Sequence, residues 1–416
     1  KGGRVVVGRD SRPSGEMLKQ AVLAGLVSVG CDVVDIGIVP TPTVEIAVEK
    51  LNASGGICLT ASHNPAEWNA LKFFSSRGEF ITGTQFKRLS RIYESRSFSY
   101  RLWDKIGKIS TQPGWIDRHI RMVLSQSVVA RAAIRRRKFT VVVDAVNGAG
   151  SVALPALLEK LGVKVITINC RGDGNFVHPP EPRPENLKQL CRAVKRHRAD
   201  LGMACDPDAD RLALVDENGQ PVSEEYTLTI AVLEVLSRRR GATVINLSTS
   251  RTTADIARSL ASRVYYAPVG EANVVAMMHA RKAIIGGEGN GGVILPAFHA
   301  GRDSLIAAAL VLSALARRKR TLSGLVGTFP AYYTIKKKAP LPVRFTSRLQ
   351  QFEKTAGRML GDVKVDRRDG LRFDFADGWA QIRKSNTEPI FRLIVETRDR
   401  KMTERLTRQI MARFRK

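Results

Sequence analysis

The stretch "DLGMACDPDADRLALV", residues 200–215, sets three aspartates between two short apolar runs. An apolar run of about five residues bounded by turn residues reads as a buried strand. The carboxylates in the connection then stand at the strand's carboxyl end, where open α/β sheets bind ligands. Upstream, "FTVVVDAVNGAG" (139–150) is a strand running into a glycine turn. A helix to about Leu161, the strand "VKVITIN" and a helix near 184–197 follow. Strands alternating with helices in this way argue for parallel α/β units.

The pattern occurs three times. The first copy runs from "RVVVG" through a helical stretch from Ser14 to about Val29 and the strand "DVVDIGI". A helix opened by Thr41 as N-cap and Pro42 at its first position leads to "GGICLTA", which ends in "SHNP", 62–65. The third copy has "ATVINL", a helix near 252–260, "RVYYAPVG", another helix, and "KAIIG" ending in "GEGNGG", 287–292. Each third strand therefore delivers a polar loop, carrying Ser62, then Asp206, Asp208 and Asp210, then Glu288 and Asn290. Singly, each is accounted for by ordinary turn chemistry. Together they indicate one site shared by three related domains.

The fourth segment differs. From about Pro340 a helical stretch gives way to "GLRFDF", "GWAQIRKSN", "IFRLIVET" and a basic last helix, the pattern of an α+β domain with an antiparallel sheet. Its loop "RKSNTEP", 383–389, is either a polar hairpin turn or a phosphate cradle of one guanidinium, hydroxyls and an amide. The expected architecture is α/β: three related α/β domains with mixed sheets plus a C-terminal α+β domain, with the active site in the central cleft. The expected divisions are 1–137, 138–240, 241–338 and 339–416.

With 416 residues, 44% hydrophobic and 25% charged, the chain fits a soluble globular protein of several domains. Five cysteines (Cys31, Cys58, Cys170, Cys191, Cys205) without a CxxC pair read as buried thiols in a reducing compartment. The apolar runs fall short of the roughly 20 residues that span a bilayer, and no signal-like start is visible. A cytoplasmic protein without membrane contact is expected. The net charge of +28 raises nucleic-acid binding as an alternative. The basic clusters at 135–138, 238–240 and 317–320 lack aromatic interleaving, however, and sit at helix ends and linkers. They read as a solvated surface that attracts small phosphorylated anions.

The acidic loop has an EF-hand alternative, since Glu217 falls at the twelfth position from Asp206. The sixth position, which needs glycine, is Arg211, and the flanks are strands, so that alternative fails. Carboxylates beside an arginine suit a magnesium ion that also holds a phosphoryl oxygen. Ser62 is a nucleophile candidate. Adjacent side chains in an extended loop point apart, which argues against a Ser62–His63 pair. Lys72, among other cations, is a candidate base with a lowered pKa. These parts describe phosphoryl transfer between a seryl side chain and a small phosphorylated substrate.

"TASHNP", "DPDADR", "GEGNGG" and "RKSNTEP" resemble, in order, the phosphoserine, magnesium, sugar-binding and phosphate-binding loops of the α-D-phosphohexomutase family. "GRDSRPSGE", "VDAVNGAGS" and "PEPRPENL" are similar to further family landmarks. The resemblance implies a phosphorylated Ser62, Mg2+ held by Asp206, Asp208, Asp210 and the phosphoserine, and acid/base work by Lys72. It also implies Arg12 and Arg211 near the reacting phosphate, and His63 among the catalytic residues. Glu288 and Asn290 would bind sugar hydroxyls, and Arg383, Ser385, Asn386 and Thr387 the distal phosphate. The reaction would pass through a 1,6-bisphosphate, with glucose 1,6-bisphosphate or an equivalent as activator, in a monomer or homodimer.

Departures refine the expectation. Asn290 and Gly292 stand where many members have serine and histidine, a variant that resembles archaeal-type phosphoglucosamine mutases. Glu271 stands where some members carry histidine, leaving the second acid/base open. Asn386 replaces the glycine usual in bacterial phosphoglucosamine mutases. The family's opening strand, with its Gly-rich arginine turn, is not found ahead of "RVVVG". The leading expectation is a phosphoglucosamine mutase, with a phosphomannomutase/phosphoglucomutase as alternative. A non-catalytic sugar-phosphate or nucleic-acid binder on the same scaffold is the alternative of another class. Ser62 and the aspartate triad, both present, favour the enzyme.

Overall fold

A computed structural model of the chain describes residues 2–385 and 389–414. The first sheet contains β1 (Arg4–Arg9), β2 (Asp32–Ile38), β3 (Gly55–Leu59), β4 (Leu71–Ser75) and β5 (Ile109–Thr111), in the order β4-β3-β1-β2-β5. The second has β6 (Thr140–Asp144), β7 (Lys164–Ile168), β8 (Leu201–Cys205) and β9 (Leu212–Val215), in the order β7-β6-β8-β9. The third has β10 (Thr243–Asn246), β11 (Val264–Ala267), β12 (Ile285–Glu288) and β13 (Gly292–Ile294), in the order β11-β10-β12-β13.

All three share one topology. Three parallel strands are followed by a fourth that turns back antiparallel on the third. The leading strands are β-branched runs whose side chains (Val6, Val7, Val141, Val142, Val143, Val244, Ile245) are buried, as expected for strands covered on both faces. Because the fourth strand pairs with the third, each polar loop is the connection of a two-stranded ladder. That fixes both of its ends and leaves only its tip to vary.

The helix Ser304–Arg318 joins the three units. Its residues from Ser304 to Ala316 are buried all round, among the helices Trp115–Ser125, Arg131–Arg137, Gly150–Lys160 and Glu225–Leu236. Asp303 caps it by accepting from the N–H groups of Leu305 and Ile306. The three units share one continuous apolar core, while the C-terminal part has its own, running from Phe345 to Phe414.

That last domain is a five-stranded antiparallel sheet of β14 (Tyr333–Pro340), β15 (Lys364–Asp366), β16 (Leu371–Phe375), β17 (Gly378–Lys384) and β18 (Ile390–Thr397), in the order β14-β18-β17-β16-β15. The helices Phe345–Thr355, Gly357–Leu360 and Arg400–Phe414 complete it. Strand β14 lies ahead of the expected helical stretch. Its edge position exposes Lys336, Lys337 and Lys338, which hides the strand pattern in the sequence.

Thr41 corrects a second expectation. It is the first residue of the helix Thr41–Lys50, with Pro40 at the cap, and its hydroxyl makes no capping bond. The hydroxyl donates instead to Asp208 Oδ2 at 2.5 Å, across the boundary between two units. Of the cysteines, Cys58 and Cys205 are buried and the other three only partly so. No helix among the described residues is long and apolar enough to cross a membrane.

Candidate active site

In the acidic loop Ala209 adopts a left-handed backbone (φ 53°), which reverses the chain so that all three aspartates point the same way. One oxygen of each carboxylate is pinned by the protein. Asp206 Oδ1 accepts the N–H groups of Asp210 and Arg211, each at 3.1 Å. Asp208 Oδ2 accepts from Thr41 and from Lys72 (2.6 Å), and Asp210 Oδ2 from Lys72 (3.0 Å) and Arg302 (2.7 Å). The other oxygens, Asp208 Oδ1 and Asp210 Oδ1, are buried without a hydrogen-bond partner.

All three aspartates are fully buried and present ligand atoms within 4.8 Å of one another. Burial, then Asp210 and Asp208, pushes the Asp206 carboxyl well above its ordinary range. Burial would raise Asp210 too, but Arg302, Lys72 and Arg211 outweigh it and hold that carboxylate down. Converging oxygens with no donor of their own are what a divalent cation requires, so the residues fit a metal such as Mg2+.

Ser62 stands at the rim of this cluster, its Oγ donating to Asp206 Oδ2 at 3.1 Å. Its φ of 50° places it in the left-handed region, so the loop is not extended there. The expectation that Ser62 and His63 point apart assumed extended backbone. Ser62 Oγ in fact lies 3.3 Å from His63 Nδ1. The Arg211 guanidinium, then burial, pushes the His63 imidazolium down to about 3, which leaves a neutral ring.

Arg12 requires a correction as well. Its side chain is fully buried, and Nε donates to Asp10 Oδ2 at 3.0 Å. Its terminal nitrogens donate to the carbonyls of Ser62, Asn64, Pro65 and Trp68 at 2.6–2.9 Å. A guanidinium has five N–H donors, and all five are taken. Arg12 therefore holds the Ser62 loop and has no donor left for a phosphate. Asp10, which also accepts from Thr60 Oγ1 at 2.7 Å, anchors this arrangement.

Lys72, on β4, was expected to have a lowered pKa. Burial does act in that direction, but Asp208 and Asp210 outweigh it and raise the ammonium above its ordinary value. Arg211 is the freer cation. Its Nε is buried without a hydrogen-bond partner, 3.7 Å from Asp210 Oδ1 and 3.9 Å from Asp206 Oδ2. The guanidinium also approaches Glu181, with Nη1 4.0 Å from Oε1.

In the third loop Glu288 Oε1 accepts from Asn246 (2.8 Å) and from the Gly270 N–H (3.0 Å), while Oε2 accepts from Arg302 (3.0 Å). Asn290 Oδ1 accepts from the Gly292 N–H at 3.3 Å. Glu271 pairs with Arg302 at 2.8 Å, and burial raises its carboxyl despite that partner. Arg302 is the residue that reading by motif misses. A signal for it exists: "GRDS" at 301–304 repeats "GRDS" at 8–11.

The structure thus brings Ser62, His63, Lys72, the three aspartates, Arg211 and Glu288 into one connected cluster. Arg383 is 3.6 Å from Asp369 within its own domain, and Ser385 is buried with its N–H donating to the Ile390 carbonyl at 2.9 Å. Asn386 and Thr387 lie outside the described residues. The C-terminal domain reaches the third unit through polar contacts, including Ser248 Oγ to Gln381 at 2.6 Å and Val269 N–H to Asp369 at 3.1 Å.

Known proteins share this domain order and fold. The family profiles described as phosphoglucomutase/phosphomannomutase match in sequence: alpha/beta/alpha domain I at residues 1–100, domain II at 117–219, domain III at 223–333 and the C-terminal domain at 343–413. A phosphoglucomutase/phosphomannomutase of Thermococcus kodakarensis is 38% identical over 396 residues, covering 95% of this chain and 86% of that protein. A probable phosphoglucosamine mutase of Pyrococcus abyssi is 36% identical, covering 97% and 88%. Among solved structures, a phosphoglucomutase/phosphomannomutase family protein of Burkholderia thailandensis superposes with a TM-score of 0.86 at 29% identity, covering 99% of this chain and 88% of that one.

Proposed function

The chain belongs to the phosphoglucomutase/phosphomannomutase family, and from that premise we propose that it interconverts hexose 6-phosphate and hexose 1-phosphate as a phosphoglucosamine mutase. The observation that carries the reaction class is Ser62 Oγ at the edge of a buried triad with two unpartnered oxygens. Asp206, Asp208, Asp210 and Ser62 would hold Mg2+, which supplies Lewis-acid stabilisation of phosphoryl charge when bound.

Ser62 carries the phosphoryl group in this reading. Its O–P bond breaks as a bond from phosphorus to a sugar hydroxyl oxygen forms, and the reverse transfer uses the opposite phosphate of the bisphosphate. The sugar hydroxyl gives up a proton and Ser62 Oγ gains one. Lys72, as an ammonium, gives a proton to Ser62 Oγ and is restored by the one the sugar hydroxyl releases, and neutral His63 offers a nitrogen within reach of the seryl proton. Arg211 holds the reacting phosphate and Arg12 keeps the loop in place. Glu288 and Asn290 orient the sugar, and Arg383, Ser385, Asn386 and Thr387 grip the other phosphate.

Several supports favour the amino sugar, namely the "GEGNGG" variant and relatives named as probable phosphoglucosamine mutases. A second reading, glucose or mannose phosphate, rests on the relative from Thermococcus kodakarensis named for both. The division at 1–137, 138–240, 241–338 and 339–416 and a cytoplasmic setting belong to the same reading. A coupled assay on the 1-phosphates of glucosamine, glucose and mannose, primed with glucose 1,6-bisphosphate, tests it. The highest kcat/KM on glucosamine 1-phosphate is the expected result, and a preference for either neutral sugar overturns the substrate assignment.

A further inference from the structure

Arg302 lies between β13 and the helix Ser304–Arg318, with its side chain almost wholly buried. One guanidinium there meets three carboxylates from three places. Nη2 is 2.7 Å from Asp210 Oδ2 in the acidic loop, and Nη1 is 3.0 Å from Glu288 Oε2 at the end of β12. Nε is 2.8 Å from Glu271 Oε2 at the start of the helix Glu271–Arg281, whose Oε1 also accepts the Arg302 N–H at 3.0 Å.

The guanidinium reaches this position because residue 292 has no side chain. A Cβ on Gly292 would stand 2.3 Å from Arg302 Cδ and 3.0 Å from Cγ. Those carbons cannot swing aside while the guanidinium is held by three ion pairs. The acidic and sugar loops also meet through one backbone bond, Leu212 N–H to the Gly291 carbonyl at 3.1 Å. That bond joins main chains, whereas Arg302 joins the functional carboxylates themselves.

We propose that Arg302 is a positioning residue that couples metal binding in the acidic loop to sugar-phosphate binding in the third loop, with Gly292 as the opening it requires. The inference rests on the functional reading above for the identity of the two ligands. By holding Asp210 Oδ2, Arg302 leaves Oδ1 turned to the cation seat. By holding Glu288 Oε2, it sets the carboxylate that faces the sugar. A cation that draws on Asp210 changes the share of the guanidinium's charge available to Glu288, so each ligand is felt at the other's loop. Such coupling is reciprocal. Lysine keeps the charge but has neither the planar fork nor the donor geometry to meet all three acids.

The test uses the full chain, Mn2+ and, as sugar phosphates, glucosamine 1-phosphate and glucose 1-phosphate. Mn2+ affinity is read by electron paramagnetic resonance with and without saturating sugar phosphate, and sugar-phosphate affinity by calorimetry in Mn2+ and in EDTA. In the parent protein each ligand should change the other's affinity by the same factor, about fivefold or more. In Gly292→Ala and in Arg302→Lys that factor should fall towards one, in protein that still unfolds cooperatively but at a lowered midpoint, because each change disturbs a buried ion-pair network. A coupling factor retained in either folded variant overturns the proposal, as does a parent that binds both ligands independently. A parent that binds Mn2+ but no hexose phosphate overturns the functional reading and the proposal with it.

Discussion

The serine loop and the acidic loop occupy the same place in two sheets of the same topology, yet they are built in opposite ways. The acidic loop, 206–211, is short and almost wholly buried, its direction set by Ala209 and its carboxylates by cations and a hydroxyl from other units. The serine loop, between β3 and β4, is longer and largely exposed from Asn64 to Ala70. A single buried residue, Arg12, holds it through its main-chain carbonyls. Carboxylates for a cation need fixed positions and exclusion of water. A serine that gives and receives a phosphoryl group must instead face the substrate, so its loop is organised from beneath.

Variants in the two loops should therefore fail differently. The largest effect is expected from Ser62→Ala, which should abolish turnover while the three aspartates still bind Mn2+, more weakly for the lost ligand, and the unfolding midpoint persists; near-normal turnover would end the covalent mechanism. Asp208→Asn should lower kcat by at least about 100-fold, since metal stabilisation of transition-state charge is worth several kcal/mol. EDTA-treated parent protein should behave likewise, and full activity in EDTA would exclude the metal role.

The C-terminal loop gives a third term. Arg383→Ala should raise KM for both monophosphates by about 30- to 150-fold, the roughly 2 to 3 kcal/mol of a charge-assisted fork, and release more bisphosphate. Unchanged constants would make that loop a turn only. Arg12→Lys tests the contrast between the loops directly. It should lower kcat about tenfold through a displaced Ser62, while the aspartate triad keeps most of the Mn2+ affinity. Equal damage to both would mean the loops are not held independently.

The smallest effect lies outside both loops. His178 Nε2 is 3.0 Å from Asp144 Oδ2, and although burial alone would lower the imidazolium, that carboxylate raises it above the ordinary value of 6.5. A raised histidine contributes stability that is full below the ordinary value and fades as pH climbs through the raised one. His178→Gln should thus lower the unfolding midpoint by roughly 3 °C at most near pH 5.5 and hardly at all near pH 9. A deficit that grows with pH would reverse the assignment.

Much was legible in the chain itself. Valine-rich runs alternating with helical stretches dictate parallel α/β units, and a polar loop after each third strand marks one shared site, because a strand's period and its terminating residues are local properties. The three aspartates advertise a cation seat by their spacing, and the ordered motifs carry the family. What local pattern does not contain is which partner a side chain meets. Ser62 and Asp206, 144 positions apart, become neighbours only when the sheets pack. The family resemblance implies Arg12 and Arg211 near the reacting phosphate. Only the folded chain shows Arg12 spent on carbonyls and Arg211 with a nitrogen unpaired. Thr41 looked like a helix cap and proved to be a donor to Asp208, and Arg302 had no motif at all beyond a repeated tetrapeptide. Each depends on contacts between units distant in sequence, so tertiary packing decided them.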